Sequence, residues 1–262
     1  MEQDFLRQFY GQHCDEDARL RSRHGMVEFL TTMRYIKRYL KPNGKILEIG
    51  AGTGRYSHEL AQKGYTVDAV ELLEHNIEVF QRNTLPGEPV TVRQGNALDL
   101  SGFGNDAYDL TLLLGPMYHL YTVEEQRRAL TEAIRVTKPG GVVFAAYCGS
   151  DATAIQGGFL KGMFKEQQHR ALVDPVTFKL SSDPPHLFAL HRKEDIDALM
   201  EGLPAGRLHF VGTDMAAGYI ADTIDQMDDE LYELYLRYHF ATCERADLVG
   251  ASNHYLDIFK KQ

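Results

Sequence analysis

The sequence predicts an α/β fold: a mostly parallel sheet with helices on both faces. Three observations carry this. Between residues 45 and 148, short apolar runs alternate with amphipathic stretches, the pattern of repeated strand–helix units. The first run ends in a glycine turn, and the second, at 65–71, ends in an acid about 20 residues further on. The run at 108–114 is apolar almost throughout, as expected for a central strand covered on both faces.

The elements follow in order. Residues 5–23 are mixed and partly helical in pattern. Residues 26–40 form an amphipathic helix, with Phe29, Leu30, Met33, Ile36 and Leu40 on one face and Arg34, Lys37 and Arg38 on the other. The stretch KILEIGAGTGRY at 45–56 reads as a buried strand, a glycine turn and a helix start. Glycine lets the chain turn tightly and lets a ligand lie against the backbone. The helix that follows offers free N–H groups. A dinucleotide fingerprint requires G-x-G-x-x-G, and Arg55 occupies the place of its last glycine. The pattern here is E-x-G-x-G-x-G, with Glu48, Gly50, Gly52 and Gly54.

The next strand, YTVDAVE at 65–71, places Glu71 where a carboxylate can accept hydrogen bonds from two ribose hydroxyls. A solvent-facing Glu at a strand end is the plain alternative. The third strand leads into VTVRQGNALDL at 90–100, where Asn96, Ala97 and Leu98 follow the glycine and Asp99 suits a turn cap. The fourth strand runs through YDLTLLLGPMYH at 108–119 and turns at Gly115-Pro116. The fifth follows RVTKPGG at 135–141, where Pro139 is expected to end the helix of 123–136 and the glycines turn into VVFAAY at 142–147.

Taken in this order, the motifs resemble those of class I S-adenosylmethionine-dependent methyltransferases. The resemblance covers the core well and the later chain poorly. It implies a Rossmann-like sheet of seven strands with an antiparallel last strand. It implies S-adenosylmethionine as cofactor and S-adenosylhomocysteine as product. It assigns cofactor contacts to Glu48, Gly50, Ala51, Gly52, Gly54, Glu71, Leu72, Asn96, Ala97, Leu98 and Leu114. Where this sequence has Asn96 the family usually has an acid, and an amide can still meet an adenine edge. The end of the fourth strand would face the reactive methyl group. The N-terminal segment would fold over the cofactor, making Tyr10, Arg23 and His24 candidates for the methionine carboxylate or the substrate. A solvated helix is the plain alternative for these three.

After residue 148 the pattern changes. Residues 149–191 are irregular and rich in Gly, Pro and Phe, as in a lid or binding insertion. Residues 192–203 return to helix, 207–212 and 253–259 read as the last two strands, and 220–244 is a helical stretch rich in Tyr. We therefore expect an N-terminal helical segment at 1–44, a methyltransferase domain at 45–262, and cap insertions at about 149–191 and 213–250. The 220–244 helix offers a homodimer face.

Composition bounds the function. The chain has 262 residues, 44% hydrophobic and 25% charged, as in ordinary globular proteins. A net charge of −9, from 28 basic and 37 acidic residues, argues against a broad nucleic-acid surface. The densest basic patch, 161–170, is dilute and contains Glu166. No apolar run is long enough to span a membrane, and the first residues are too polar for a signal peptide. Cys14, Cys148 and Cys243 are odd in number and lack C-x-x-C spacing, which suits reduced thiols in the cytoplasm. No metal cluster is expected: His186 and His191 lack a ligand spacing.

A sulfonium is already an activated methyl donor, so methyl transfer needs alignment first and a general base only for some acceptors. Tyr118 and His119, just past the fourth strand, are the candidates for such a base, ahead of His191 and His239. Met117 to Leu120 could equally be apolar wall. The aromatic cap suits a small, partly apolar acceptor. Alternatives are a protein or RNA methyltransferase, a catalytically silent S-adenosylmethionine-binding protein, and a nicotinamide dehydrogenase, which Arg55 argues against.

Overall fold

The computed structural model describes residues 2–12, 22–169, 172–182 and 187–262. Cys14, Arg170 and His186 lie outside them. After α1 (Glu2–Gln12) and α2 (Arg23–Tyr39), strands and helices alternate except that a loop joins the third strand to the fourth: β1 (Lys45–Ile49), α3 (Arg55–Ala61), β2 (Thr66–Glu71), α4 (Glu74–Asn83), β3 (Val90–Gln94), β4 (Tyr108–Leu113), α5 (Val123–Val136) and β5 (Thr137–Gly149). The later chain adds α6 (Ser150–Thr153), a π-helical turn (Ala154–Leu160), α7 (Phe164–His169), β6 (Leu190–His191), α8 (Lys193–Met200), β7 (Ala205–Gly212), α9 (Ala221–Asp225), α10 (Asp229–Thr242) and β8 (His254–Lys261).

The sheet order is β3-β2-β1-β4-β5-β8-β7, with β6 pairing β5 as an eighth strand. All pairings from β3 to β5 are parallel, and β8 runs antiparallel to both of its neighbours. This matches the expected architecture with one short strand added. The chain steps outward from β1 to β2 and β3, then returns to lay β4 on the other side of β1. That reversal opens a crevice at the C-terminal ends of β1 and β4. Because β8 is antiparallel, its first residue, His254, falls at the same edge of the sheet as the last residues of β4 and β5.

Alternate residues of the strands feed two cores. Leu47, Ile49, Leu113, Val143 and Tyr147 pack against α5 and α8 through Ala129, Ala133, Ile196 and Leu199. Ile46, Val67, Leu110, Leu112, Phe144 and Ile258 pack against Phe29, Met33 and Ile36 of α2 and Leu60 of α3. Arg34, Lys37 and Arg38 are exposed, as the periodicity of α2 requires. Yet Val27, Thr31 and Tyr35 are buried too, because α9 and α10 cover a second face of this helix. The α2 stretch thus packs as part of the sheet's core, although it lies before residue 45.

Two local readings are corrected. Helix α5 ends at Val136, before Pro139, and strand β5 already begins at Thr137. The Tyr-rich stretch forms two helices, α9 and α10, and Asp228 caps the second by accepting from the Leu231 N–H at 2.8 Å. Among the described residues, no helix is long and apolar enough to cross a membrane. Cys148 and Cys243 are buried free thiols.

Candidate active site

The glycine turn is set by backbone geometry. Gly50 has φ of 75°, and a Cβ there would lie 2.5 Å from Pro116 Cδ. The β1 turn therefore packs directly on the turn after β4, an approach that only glycine allows. Gly54 has φ of 95° and precedes the first turn of α3. A Cβ there would lie 2.6 Å from both His58 Nε2 and Phe80 Cδ2. Between them, the Gly52 N–H donates to Glu71 Oε2 at 2.9 Å.

Glu71, at the end of β2, is a buried carboxylate held by three donors. Besides Gly52 these are the Leu73 N–H at 2.9 Å and Asn76 Nδ2 at 3.2 Å, both to Oε1. Its orientation is fixed while lone-pair capacity remains for a ligand hydroxyl. Glu48, at the end of β1, is almost fully buried and accepts from the Ser57 hydroxyl. Burial pushes its carboxyl up to about 8, the Ser57 hydrogen bond works against the shift, and the neighbouring Glu71 charge adds to it.

These groups line one cavity of about 520 Å³ along the C-terminal edge of the sheet. Glu48, Gly50, Ala51, Gly52, Glu71, Leu72, Asn96, Ala97, Leu98 and Leu114 are on its wall, together with Tyr118, His119 and Tyr10. Gly54 is not on it: its part is to bend the chain into α3. Asn96 Oδ1 accepts from the Leu98 N–H at 2.9 Å, which leaves the amide NH₂ as its free polar group. Asp99 accepts from the Ser101 N–H at 3.0 Å and so closes the following turn.

Arg23 is not on the wall. Its guanidinium pairs with Asp229 at 2.6 Å and lies 5.0 Å above the Tyr232 ring, so α10 claims it. His24 is taken by Asp225 at 2.7 Å. The arginine that reaches the cavity is Arg55, in the slot that excluded the dinucleotide fingerprint. It stacks 4.5 Å above Phe29, and its buried Nε has no hydrogen-bond partner. Among the described lining residues it is the one Lys or Arg.

His119 meets Tyr10. Its Nδ1 donates to the Leu187 carbonyl at 2.7 Å, because a carbonyl can only accept, and its Nε2 lies 2.9 Å from the Tyr10 hydroxyl. Helix α1 is thereby docked over the cavity, with Phe9 against Phe188 at 5.7 Å between ring centres. His191 and His239 are away from the cavity wall. His191 lies beside Gln126 at 2.9 Å and His239 beside Thr31 at 2.9 Å. Burial pulls both down to about 4.

Sequence reasoning missed one group entirely. Glu28 from α2, Thr213 just past β7 and His254 at the start of β8 line the far end of the cavity. His254 Nδ1 is 2.8 Å from Asp214 Oδ2 and 3.5 Å from Glu28 Oε2. These three side chains are close enough to share a cation. The His254–Asp214 hydrogen bond accounts for their proximity without one. No local motif marks them; the one available signal was that an antiparallel last strand starts at the sheet edge where the other strands end.

Residues 46–141 match the family described as a methyltransferase domain. A ubiquinone biosynthesis O-methyltransferase of Methylocella silvestris is 34% identical over 128 residues, 48% of this chain and 48% of that protein. A demethylmenaquinone methyltransferase of Clavibacter sepedonicus is 32% identical over 116 residues, 44% of this chain and 46% of the other. The matched stretch thus spans about half the length of these relatives. A crystal structure of an S-adenosylmethionine-dependent methyltransferase from Methanosarcina mazei has the same fold, with a TM-score of 0.58, 19% identity, and coverage of 87% of this chain and 96% of that one. With the E-x-G-x-G-x-G turn, the β2 carboxylate and the sheet order in place, residues 46–141 carry a methyltransferase domain, set in a fold similar to that of an S-adenosylmethionine-dependent methyltransferase.

Proposed function

We propose that the protein transfers the methyl group of S-adenosylmethionine to a small molecule with an apolar, aromatic body. One observation carries this reading: the cavity that begins at Glu71 and Gly52 continues past Leu114 to Tyr118, Phe188 and His254. A nucleoside held at the first end would present its sulfonium toward the second. Glu71 would take the ribose hydroxyls, and Asn96 to Leu98 the adenine. Arg55, with its unpaired Nε, would take the methionine carboxylate, and Glu48 faces the same end of the cofactor.

The chemistry is in-line displacement, so the protein's contribution is alignment in a closed space. The acceptor end is walled by Tyr, Phe and Leu side chains and carries no run of cations, which supports a small acceptor over RNA or a protein segment. Two relatives are named for methylation in quinone biosynthesis, which supports an aromatic acceptor. His119 and Tyr118 stand at this end. For His119 to act as a base, Tyr10 must first leave Nε2; otherwise the ring serves to hold α1 closed. His119→Ala with unchanged turnover on the true acceptor would rule out the base.

The decisive experiment is calorimetric titration with S-adenosylmethionine beside NAD and a Glu71→Ala variant. We expect selective S-adenosylmethionine binding, weakened roughly tenfold to a hundredfold in the variant, because hydrogen bonds to a charged group contribute about 1.5–3 kcal/mol. Selective NAD binding would overturn the reading. Binding without S-adenosylhomocysteine release on any acceptor would point to a silent binding protein.

A further inference from the structure

Beyond the first cavity lies a second, of about 360 Å³, and the two share Phe188 and His254. These two side chains are therefore a partition with ligand-sized space on both sides. The second space is apolar through Met163, Leu172, Leu180 and Leu190, with Cys148 at its inner end.

His254 is unusually well held. Asp214 Oδ2 accepts from its Nδ1, while Asp214 Oδ1 accepts from the Ser252 hydroxyl at 2.5 Å, the Asn253 N–H at 2.9 Å and the His254 N–H at 3.2 Å. The ring lies 5.8 Å from the Tyr118 ring, which follows the end of β4. Nδ1 is committed to Asp214 and Glu28, and the ring also meets the sulfur of its cross-strand partner Cys148, which an acceptor oxygen would displace from Nε2. Burial alone would lower the basicity of His254, but Glu28 and Asp214 overcome it and hold the ring well above its usual range. A protonated ring is a donor and not a base.

We propose that the methyl acceptor binds across this partition, with its reactive oxygen on His254 and its apolar body in the second cavity between Met163, Leu172, Leu180 and Leu190. The acceptor class is a weakly acidic hydroxyl, a phenol or an enol, on a hydrocarbon frame. This rests on the methyltransferase reading and deepens it. The first cavity's β1–β3 end is claimed by the cofactor in that reading, so an acceptor larger than one ring must extend past Phe188. The space it meets there has a mostly apolar wall, interrupted by Thr153, Glu166, Ser181, Ser182 and Asn253, and the apolar part favours hydrocarbon.

The step balances without a base. The acceptor gives up its proton to solvent on binding as the oxyanion. Its oxygen lone pair forms the C–O bond as the C–S bond breaks, and that pair returns to sulfur. Sulfonium and oxyanion become a neutral thioether and a neutral methyl ether. The His254 proton stays in place throughout and stabilises the oxyanion before transfer.

The test uses alkyl esters of 4-hydroxybenzoic acid, from methyl to octyl, titrated at mildly alkaline pH into protein loaded with S-adenosylhomocysteine. We expect each added methylene to tighten binding by roughly up to fourfold until the chain fills the second cavity. Met163→Trp, at a position 45% exposed and so tolerant of change, should flatten that dependence, weakening the octyl ester far more than the methyl ester. His254→Gln should weaken every ester at least tenfold, with cofactor affinity and Tm measured alongside; if it fails to fold, Met163→Trp decides. Length-independent affinity, or the same length dependence in Met163→Trp, would overturn the proposal. Failure to bind S-adenosylmethionine would sink the methyltransferase reading itself. Cofactor binding without ester binding would sink this inference alone.

Discussion

The two ends of the cavity are assembled from different kinds of sequence. The β1–β3 end comes from residues 48 to 98, three successive strands whose following turns each contribute a run of near neighbours. The far end takes Glu28 from one helix, Phe188 from the cap, Thr213 from beyond β7 and His254 from the last strand. Backbone geometry dominates the first end, and side chains brought together by tertiary packing dominate the second. The first is therefore rigid in what it can hold, while the second can change its ligand by changing single side chains. This is the physical form of the rule that a fold does not fix a substrate.

The comparison breaks most sharply at Gly50. Its left-handed backbone, φ 75°, and the 2.5 Å approach to Pro116 leave no space for a methyl group. Strained backbone costs about 1–3 kcal/mol. Relief by moving the turn would also separate the Gly52 N–H from Glu71. We expect Gly50→Ala to cost roughly a hundredfold or more in S-adenosylmethionine affinity by calorimetry. Full affinity in this variant would mean that the turn is not what shapes the site.

Arg55 is the next test, because it is a side chain inside the backbone-built end. Arg55→Leu keeps the stack on Phe29 in part but removes the charge. We expect about a tenfold to hundredfold loss of S-adenosylmethionine affinity, with a smaller loss for a cofactor analogue lacking the carboxylate. Equal losses for both ligands would assign Arg55 to packing alone.

Legibility in the sequence follows the same divide. The placement of Gly50, Glu71 and Asn96 on one cavity wall was readable because strand, turn and polar residue recur at fixed chain spacing. Arg55 was read only as a departure from another fingerprint, while Tyr10, Arg23 and His24 were offered as the residues to meet the methionine carboxylate or the substrate. His254 was unreadable: nothing near it in the chain marks it, and its partners are Glu28 and Asp214. The two-helix break before Asp229 was missed because 220–244 was read as one helical stretch, although Tyr232, Tyr235 and Tyr238 all fall in the second helix. The exposure of Arg34, Lys37 and Arg38 was read correctly, yet the burial of Val27, Thr31 and Tyr35 depends on α9 and α10, which no pattern within α2 reveals.

A smaller effect separates the cavity histidines from the buried ones. Burial lowers His191 and His239 to about 4 in the fold, against 6.5 for an ordinary histidine. Below 6.5 the unfolded chain therefore binds protons that the folded protein refuses. Stability falls as pH drops from about 6.5 toward 4, and no change from these groups is expected above that window. His191→Gln and His239→Gln keep side chains able to hydrogen-bond to Gln126 and Thr31. Combined, they should flatten the acid limb of denaturant midpoint against pH. An unchanged limb would show that other groups drive acid unfolding.

The smallest effect belongs to a residue that the family resemblance offered and the fold pairs elsewhere. Arg23 pairs with Asp229, whose side chain is 96% exposed. Water screens such a pair, and exposed pairs of this kind contribute about 0–1 kcal/mol. Arg23→Ala should therefore shift the denaturant midpoint barely, and leave S-adenosylmethionine affinity unchanged where Arg55→Leu lowers it. The two arginines make a matched pair: same charge, one over a cavity and one on a helix surface. If Arg23→Ala weakened the cofactor as much as Arg55→Leu, then α2 would have to swing its N-terminus into the cavity on binding. In that event the N-terminal segment, and not the glycine turn, would set cofactor affinity.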